Sequence, residues 1–399
     1  MAIVTQNCIN DKVLSDEWSQ LKETVWGELK QSSLLMLKRL LETSMEIEVQ
    51  DLICARKWER NNRRVCYRKG YRTRNLFSSF GYLADLRIPR VREGTLKFKC
   101  LPAYKRRAPD VDLTILQMFL DGVSTRSVSE VLEPLYGPGT ISAMGVSRIS
   151  KSLNKYVNNY HARKLSDDYV YLIADGVYFN IKNVIKKKRR CVLVVYGIKS
   201  TGQREIIDFQ LAPHGESQAA WEKFLNQLYH RGLEGSSLRL FVTDDCKASV
   251  NAFNMVYPMA KHQLCWAHKL RNVANKLPKH IQESCIDQAK AIYKADSREE
   301  ALGIFKNWYR NWEFAAPAAV KCLNNGIYDL LNFFNEPKSL WIKLRTTNII
   351  ERSFREVRRR TRPMSCFQNQ DSVQRIIFAV FMKMNKKWEK KPFKIAHLT

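Results

Sequence analysis

The chain lacks the features that would tie it to a membrane or to an oxidising compartment. No apolar run in its 399 residues is long enough to span a bilayer. The opening stretch, MAIVTQNCINDK, does not resemble a signal peptide. Ten cysteines are scattered without a paired framework, so a reduced, cytoplasmic setting is expected rather than a disulfide-stapled one. Acid is scarce as well. Asp and Glu number 39 against 67 Lys and Arg, a formal charge of +28. Solubility alone does not explain that excess; it calls for a polyanionic partner, with nucleic acid first and a membrane surface a distant second. What the chain does have is core material. Its hydrophobic fraction is 45%, with nine Trp, sixteen Tyr and eighteen Phe, which excludes general disorder. The length leaves room for two or three folded units.

The charge is not spread evenly. Residues 56–107 hold 17 Lys or Arg against Glu59, Asp85 and Glu93, so half of the net excess sits in this stretch. Aromatics are interleaved with it: Trp58, Tyr67, Tyr71, Phe77, Phe80, Tyr82, Phe98 and Tyr104. A solvated basic face would not need those rings; a nucleic-acid surface would use both. Within it, Gly81–Arg92 alternates like a strand, and Pro89 places that strand at an edge. Before it, residues 1–55 read as helical, with Leu34, Leu37, Leu41 and Met45 at the spacing of a packing face. After it, residues 110–155 read as short helices broken at Asp121-Gly122-Val123-Ser124 and at Gly137-Pro138-Gly139, a helix-turn-helix candidate. Ser124, Arg126, Ser147 and Arg148 are the expected base readers at its helix starts, and Arg72 and Arg74 the expected phosphate contacts.

From Tyr169 the pattern turns α/β. Tyr169–Ile173 is an apolar run leading into Asp175; Cys191–Ile198 and Glu205–Leu211 follow as strands. Ser217–Leu233 is an amphipathic helix, and Leu238–Val242 a fourth strand ending in Thr243-Asp244-Asp245. A three-stranded meander, a helix and a further strand are the opening of the RNase H-like fold, by analogy. Residues 251–339 read as an all-helical insertion, and Thr346–Arg362 as a basic helix carrying Glu351.

Metal-assisted phosphoryl transfer needs carboxylates gathered from distant segments, because two hard cations about 3.5–4 Å apart must be held between them. Asp175 and Asp244 follow apolar strands whose ends can be neighbours in this strand order, and Glu351 borders the apolar stripe Ile350, Phe354, Val357. Each also has an ordinary alternative: a turn at Asp175-Gly176, a helix cap at Asp244-Asp245, a surface pair of Glu351 with Arg355. Asp244 is preferred to Asp245 because it follows Val-Thr directly at the strand end. Cys265 and His268 have a metal-like spacing, but structural zinc takes four ligands, so a packing role for Cys265 with a hydrogen-bonded His268 is expected.

Several segments together resemble one family. Tyr67–Arg74 (YRKGYRTR), Gly122–Arg126 (GVSTR), Asp175-Gly176-Val177, Cys265–Asn272 (CWAHKLRN) and above all Thr346–Arg362 (TTNIIERSFREVRRRTR) look like motifs of the Mutator-type transposases of bacterial insertion sequences. The similarity runs from about residue 56 to about residue 385. It implies an RNase H-like catalytic domain (166–250 and 340–390) with an all-α insertion (251–339), preceded by a mostly helical, basic DNA-binding region (a helical 1–55, then 56–165). It implies Asp175, Asp244 and Glu351 as a DDE triad holding two Mg²⁺ or Mn²⁺ ions, and Cys265 and His268 as a shared family motif. It further implies binding to the element's terminal inverted repeats and target DNA, as a homodimer on DNA, in the bacterial nucleoid. Arg355, Arg358 and Arg359, one and two turns beyond Glu351, are then expected to grip phosphates. No signature of a Ser or Tyr recombinase is present. The rival readings are an RNase H-like nuclease without joining activity and a DNA-binding repressor derived from a transposase; an intact triad counts against the second.

Overall fold

The computed structural model describes residues 3–94, 96–101, 105–136, 139–182, 187–361 and 370–394, with side chains from residue 21 onward except at 181–182 and 187–188. The chain divides into two compact units, residues 1–150 and 151–399. No helix among the described residues is long and apolar enough to cross a membrane.

The first unit opens with a long helix, α1 (Ile3–Ile53), followed by an antiparallel hairpin, β1 (Arg68–Ser78) and β2 (Gly81–Val91). The expected packing face of α1 meets that hairpin. Met45 is fully buried among Leu76, Leu83, Leu86 and Ile88, with Leu34, Leu37 and Leu41 against the same cluster. Val49 and Ile53 continue the contact onto Cys66 and Val91. The expected division at residue 55 is therefore not a break in packing: helix and hairpin bury each other's apolar faces. β1 was not anticipated as a strand, because RKGYRTR carries too many charges to alternate. Pro89 pairs with Tyr71 in a sheet of only two strands, where its missing N–H costs nothing. Three short helices follow, α2 (Pro109–Leu120), α3 (Ser127–Tyr136) and α4 (Ala143–Lys151). Ser124 caps α3, its Oγ accepting from the Ser127 amide at 3.1 Å, and Ser142 Oγ accepts from the Gly145 amide at 3.2 Å at the start of α4. Tyr104, Gly137, Pro138 and Arg362, used above in reading the sequence, lie outside the described residues.

The second unit is built on five strands. After α5 (Leu153–Ala162) come β3 (Tyr169–Lys182), β4 (Lys187–Lys199), β5 (Arg204–Ala212), α6 (Gln218–His230), β6 (Leu240–Thr243), α7 (Lys247–Val256) and β7 (Lys261–Leu264). The sheet order is β5-β4-β3-β6-β7, with β3, β4 and β5 antiparallel and β6 and β7 parallel to β3. Strand residues alternate between two covered faces. Leu172, Ala174, Leu193 and Val195 pack with Trp221, Phe224 and Leu228 of α6 and Phe253 of α7. The opposite face is covered from the end of the chain. There α14 (Asn348–Thr361) places Phe354 5.5 Å from Phe179, and α15 (Gln370–Glu389) places Phe381 5.5 Å from Phe209. Between the sheet and these closing helices run α8 (Trp266–Ala274), α9 (Lys279–Ile292), α10 (Arg298–Trp312), α11 (Pro317–Asn324) and the short α12 (Ile327–Leu330) and α13 (Trp341–Leu344).

Two expectations need correction. The stretch 251–339 is not all helical, since β7 supplies a fifth strand; at four residues (KHQL), half of them polar, it carries no readable alternation. And Asp175 does not end its strand. It is paired with Val194 in the middle of β3, which continues to Lys182. What ends near Asp175 is the neighbouring strand β6.

Candidate active site

Register brings the first two acids together. β3 and β6 run parallel with Ile173 opposite Val242. Two residues further on, Asp175 within β3 and Asp244, the first residue beyond β6, follow neighbouring strands that lie about 5 Å apart, as in any sheet. Asp175 is only 6% exposed, and among the described residues none donates a hydrogen bond to its carboxylate. Asp244 begins the loop after β6; its Oδ1 accepts from the Cys246 amide at 3.2 Å and, more loosely, from Ser249 Oγ at 3.4 Å. Glu351 comes from the first turn of α14. Ile350, Phe354 and Val357 bury one side of that helix completely, and this fixes which way Glu351 can point. Its Oε1 lies 3.5 Å from His268 Nε2 and 3.6 Å from an Arg271 guanidinium nitrogen, both on α8.

A small polar joint holds α8 and α14 in that relation. The Thr347 amide donates to Cys265 Sγ at 3.3 Å, Thr347 Oγ1 lies 3.4 Å from His268 Nδ1, and the Trp266 amide donates to the Arg345 carbonyl at 3.0 Å. Cys265, Trp266 and Thr347 are all buried. Through this joint the Cys265–His268 turn of α8 docks on Thr347, just before the helix that carries Glu351.

The ligand atoms fall into two groups. The carboxylates of Asp175 and Glu351 and an imidazole nitrogen of His268 lie within 4.8 Å of one another. So do Glu216, Asp244 and Cys246. Burial pushes the Asp175 carboxyl up to about 7; His268 opposes the rise, while Asp244, Glu351 and Glu216 add to it. Burial raises Glu216 too, against the Trp221 N–H that it accepts at 3.0 Å. His268 is raised to about 9, first by its hydrogen bond to Cys265, then, against burial, by the Cys265 sulfur, Asp175 and Asp244. Burial works against a Cys265 thiolate, yet His268 and the Thr347 amide hold the thiol below its ordinary value. The pocket thus gathers four carboxylates around one imidazole and one guanidinium, a set short of positive charge in the middle of a chain that carries a large excess of it.

Comparison with known proteins identifies the lineage. A family model described as "Transposase, Mutator family" matches residues 12–391. The chain belongs to the Mutator family of transposases. It is 31% identical over 353 residues to the transposase for insertion sequence element ISRM5 of Rhizobium meliloti, covering 88% of this chain and 87% of that protein. It is 31% identical over 358 residues to the transposase for insertion sequence element IS256 of Staphylococcus aureus, covering 88% and 90%. The transposase for IS1081 of Mycobacterium tuberculosis is 30% identical over 368 residues, covering 90% and 87%. Among solved structures, the Drosophila P element transposase strand transfer complex aligns with 75% of this chain and 82% of its own, at 9% identity and a TM-score of 0.30, too slight a likeness to bear on the fold.

Within this family member the other anticipated residues are placed as follows. Asp245 is drawn away from the pocket by Lys269, a buried cation whose Nζ lies 2.7 Å from Asp245 Oδ2. Arg355, Arg358 and Arg359 are exposed on α14. Glu356, a possible partner, is taken by Arg360 at 2.9 Å, and Glu351 by α8 rather than by Arg355. Arg72 is exposed and Arg74 half-buried, two positions apart and so on one face of β1. Arg126 is exposed just before α3, where the Ser124 hydroxyl is already occupied by capping. Ser147 and Arg148 sit in the middle of α4, not at its start; the helix begins at Ala143, and the cap is Ser142.

Glu216 was missed. It lies in the turn between β5 and α6, with no apolar run leading into it. A signal did exist in Gly176: a Cβ there would stand 2.7 Å from Glu216 Oε2, and a glycine inside a strand marks a close approach.

The Cys265–His268 pair yields a prediction of its own. Cys265 is in no group of three metal-ligating side chains among the described residues. Elemental analysis of the purified protein should therefore find far less than one zinc per chain. One zinc per chain, lost in Cys265→Ser, would show that the joint is a metal site.

Proposed function

We propose that this chain is a DNA transposase that binds the terminal inverted repeats of an insertion sequence and carries out metal-dependent cleavage and strand transfer through Asp175, Asp244 and Glu351. One observation carries the reading: the fold brings acids from β3, the end of β6 and α14 close enough for Asp244 and Glu351 to act on the charge of Asp175, which is buried with no hydrogen-bond donor among the described residues. A meander of three antiparallel strands flanked by two parallel ones, with helices on both faces, is the arrangement of an RNase H-like domain, and it supports the same reading.

The donor set fits divalent cations. All the carboxylates are hard oxygen ligands, and burial with three neighbouring acids raises the Asp175 carboxyl to about 7 despite His268, a surplus of negative charge that divalent cations would balance. Two Mg²⁺ or Mn²⁺ ions, when bound, would activate an attacking oxygen and stabilise a leaving one. Everything else falls to the chain. Asp175 offers a ligand from within β3, and Asp244 from the first residue beyond β6. His268 and Arg271 hold the Glu351 carboxylate toward them. Water or a 3′-hydroxyl can be the attacking group at the same centre, which is how one site would first cut and then join. Two element ends must meet, so two copies of the chain are expected on DNA, in the nucleoid. A nuclease of the same fold would share the pocket but release its product, and only a joining assay separates the two.

The family relation favours joining, and the exposed cations favour DNA. Arg355 shares the face of Glu351 one turn on and has no acid paired with it among the described residues, which suits it to a phosphate beside the scissile bond. Arg355→Ala should cut strand transfer about tenfold or more while shifting the melting temperature by a degree or less. A parallel fall in both would make it an ordinary structural residue.

In the first unit, Arg72 and Arg74 line a cleft of about 840 Å³ with Arg106, Phe77, Tyr82 and Tyr136. The double change Arg72→Ala, Arg74→Ala should weaken binding to end DNA and random DNA alike, and make the dependence on salt shallower by about two phosphate contacts. Loss of preference for end DNA at unchanged salt dependence would mean that these arginines read bases instead. The reading as a whole is tested by binding: the alanine variants of all three acids should hold labelled end DNA as tightly as the parent while cutting none of it. Variants that still cut would refute it.

A further inference from the structure

We infer that Glu216 is a fourth carboxylate of the metal centre, lending a ligand to the cation beside Asp244, while Asp175 and Glu351 serve the other. The inference rests on the proposed DDE reading and deepens it.

The placement comes from three features. First, Glu216, Asp244 and Cys246 offer ligand atoms within 4.8 Å of one another, a group separate from that of Asp175, His268 and Glu351. The triad alone is thus divided unequally, with two acids near one position and Asp244 by itself near the other. Glu216 makes the division even. Second, β3 is shaped to admit it. Gly176 leaves open the space in which a Cβ would stand 2.7 Å from Glu216 Oε2, 2.8 Å from its Cδ and 2.9 Å from its Oε1. Any other residue at 176, immediately after Asp175, would displace the carboxylate. Third, the neighbouring Asp175 carboxylate is 6% exposed, has no hydrogen-bond donor among the described residues and has only His268 as a nearby cation against the charges of Asp244, Glu351 and Glu216, an excess of buried negative charge that a bound cation would offset.

A purely structural role is the alternative, because Glu216 also accepts the Trp221 indole N–H at 3.0 Å, one turn into α6. That bond involves Oε1 and leaves Oε2, an oxygen against Gly176, without a donor among the described residues. Holding Trp221 would need only an amide. Glutamine in its place would keep the volume and the acceptor, and lose the charge.

This difference sets the test. Mn²⁺ is titrated into the full-length protein, with free ion followed by its EPR signal. Glu216→Gln should bind one ion as the parent does and the second at least about tenfold more weakly, with an unchanged melting curve. Trp221→Phe, which removes the donor and keeps the carboxylate, should bind both ions like the parent. Two results would overturn the inference: parental binding of both ions by Glu216→Gln, or a Trp221→Phe protein that reproduces the loss. Asp175→Asn, run alongside, separates the layers. If it loses Mn²⁺ while Glu216→Gln does not, only the role of Glu216 falls. If the parent binds no Mn²⁺, or Asp175→Asn binds it fully, the metal centre itself falls and this inference with it.

Discussion

Asp175→Asn should lose DNA cleavage about 1,000-fold or more, and yet make the metal-free protein more stable at pH 8. The two effects share one cause. Asp175 is buried in β3 with no hydrogen-bond donor among the described residues, and burial with three neighbouring carboxylates pushes its carboxyl from 3.8 up to about 7. Because the folded value lies above the unfolded one, the folded state holds the proton more tightly. Its stability is then full below about pH 4 and is lost as pH rises toward 7. Above pH 7 the buried charge costs the folded protein roughly 2–4 kcal/mol. An amide of the same shape removes that cost, so the melting temperature at pH 8 should rise by several degrees. At pH 4 the two proteins should melt together. Saturating Mg²⁺ should reverse the order at pH 8, because only the carboxylate has something to gain from the ion. The loss of cleavage corresponds to several kcal/mol of transition-state charge stabilisation, the scale of a lost catalytic-metal ligand. A variant that is less stable than the parent at pH 8 as well as at pH 4 would show that Asp175 is an ordinary structural acid.

The adjacent acids Asp244 and Asp245 should separate activity from stability. Asp244 faces Glu216 and Cys246 in the pocket, and Asp245 turns to the buried ammonium of Lys269 at 2.7 Å. Asp244→Ala should therefore lose cleavage about 1,000-fold or more with little change in melting temperature. Asp245→Ala should keep most of the activity and melt lower, since it strips the nearest anion from a cation that is 3% exposed. The destabilisation stays moderate because Asp245 itself is largely exposed and Asp329 also lies near Lys269. Full cleavage by Asp244→Ala with loss in Asp245→Ala would reverse the assignment of the second acid.

The three acids proposed as the triad stand out in the sequence because each sits beside a strong apolar pattern: Tyr169–Ile173 before Asp175, Leu238–Val242 before Asp244, and the stripe Ile350, Phe354, Val357 around Glu351. Patterns of that kind also gave the meander, α6 and the packing face of α1. What stayed hidden were elements whose stability comes from neighbours rather than from their own sequence. β7 is four residues long and forms only because β6 offers its edge. β1 has a charged outer face and forms because α1 and β2 cover its few apolar positions. The length of β3 beyond Asp175 depends on pairing with the arm of β4 from Lys187, which no local property of the segment announces. Glu216 is hidden for a similar reason, since its role is set by residues far along the chain and only Gly176 leaves a trace of it. His268 was read as a hydrogen-bonded packing residue. It does bond to Cys265 and Thr347, but α8 also turns its other nitrogen toward Glu351, a relation that needs the whole helical stretch to fold back on the sheet.

As proposed, this pocket both cuts and joins DNA. The most direct measurement incubates the purified protein with Mg²⁺, an end-labelled fragment carrying the element's terminal repeat and an unlabelled target duplex, and maps the products at nucleotide resolution. Expected are a nick that exposes a 3′-hydroxyl at the element's end and then labelled end covalently joined to target, with both products absent in Asp175→Asn, Asp244→Ala and Glu351→Gln. Nicked end without any joined product would make the chain a nuclease, and joined product that survives loss of all three acids would place the chemistry elsewhere in the protein.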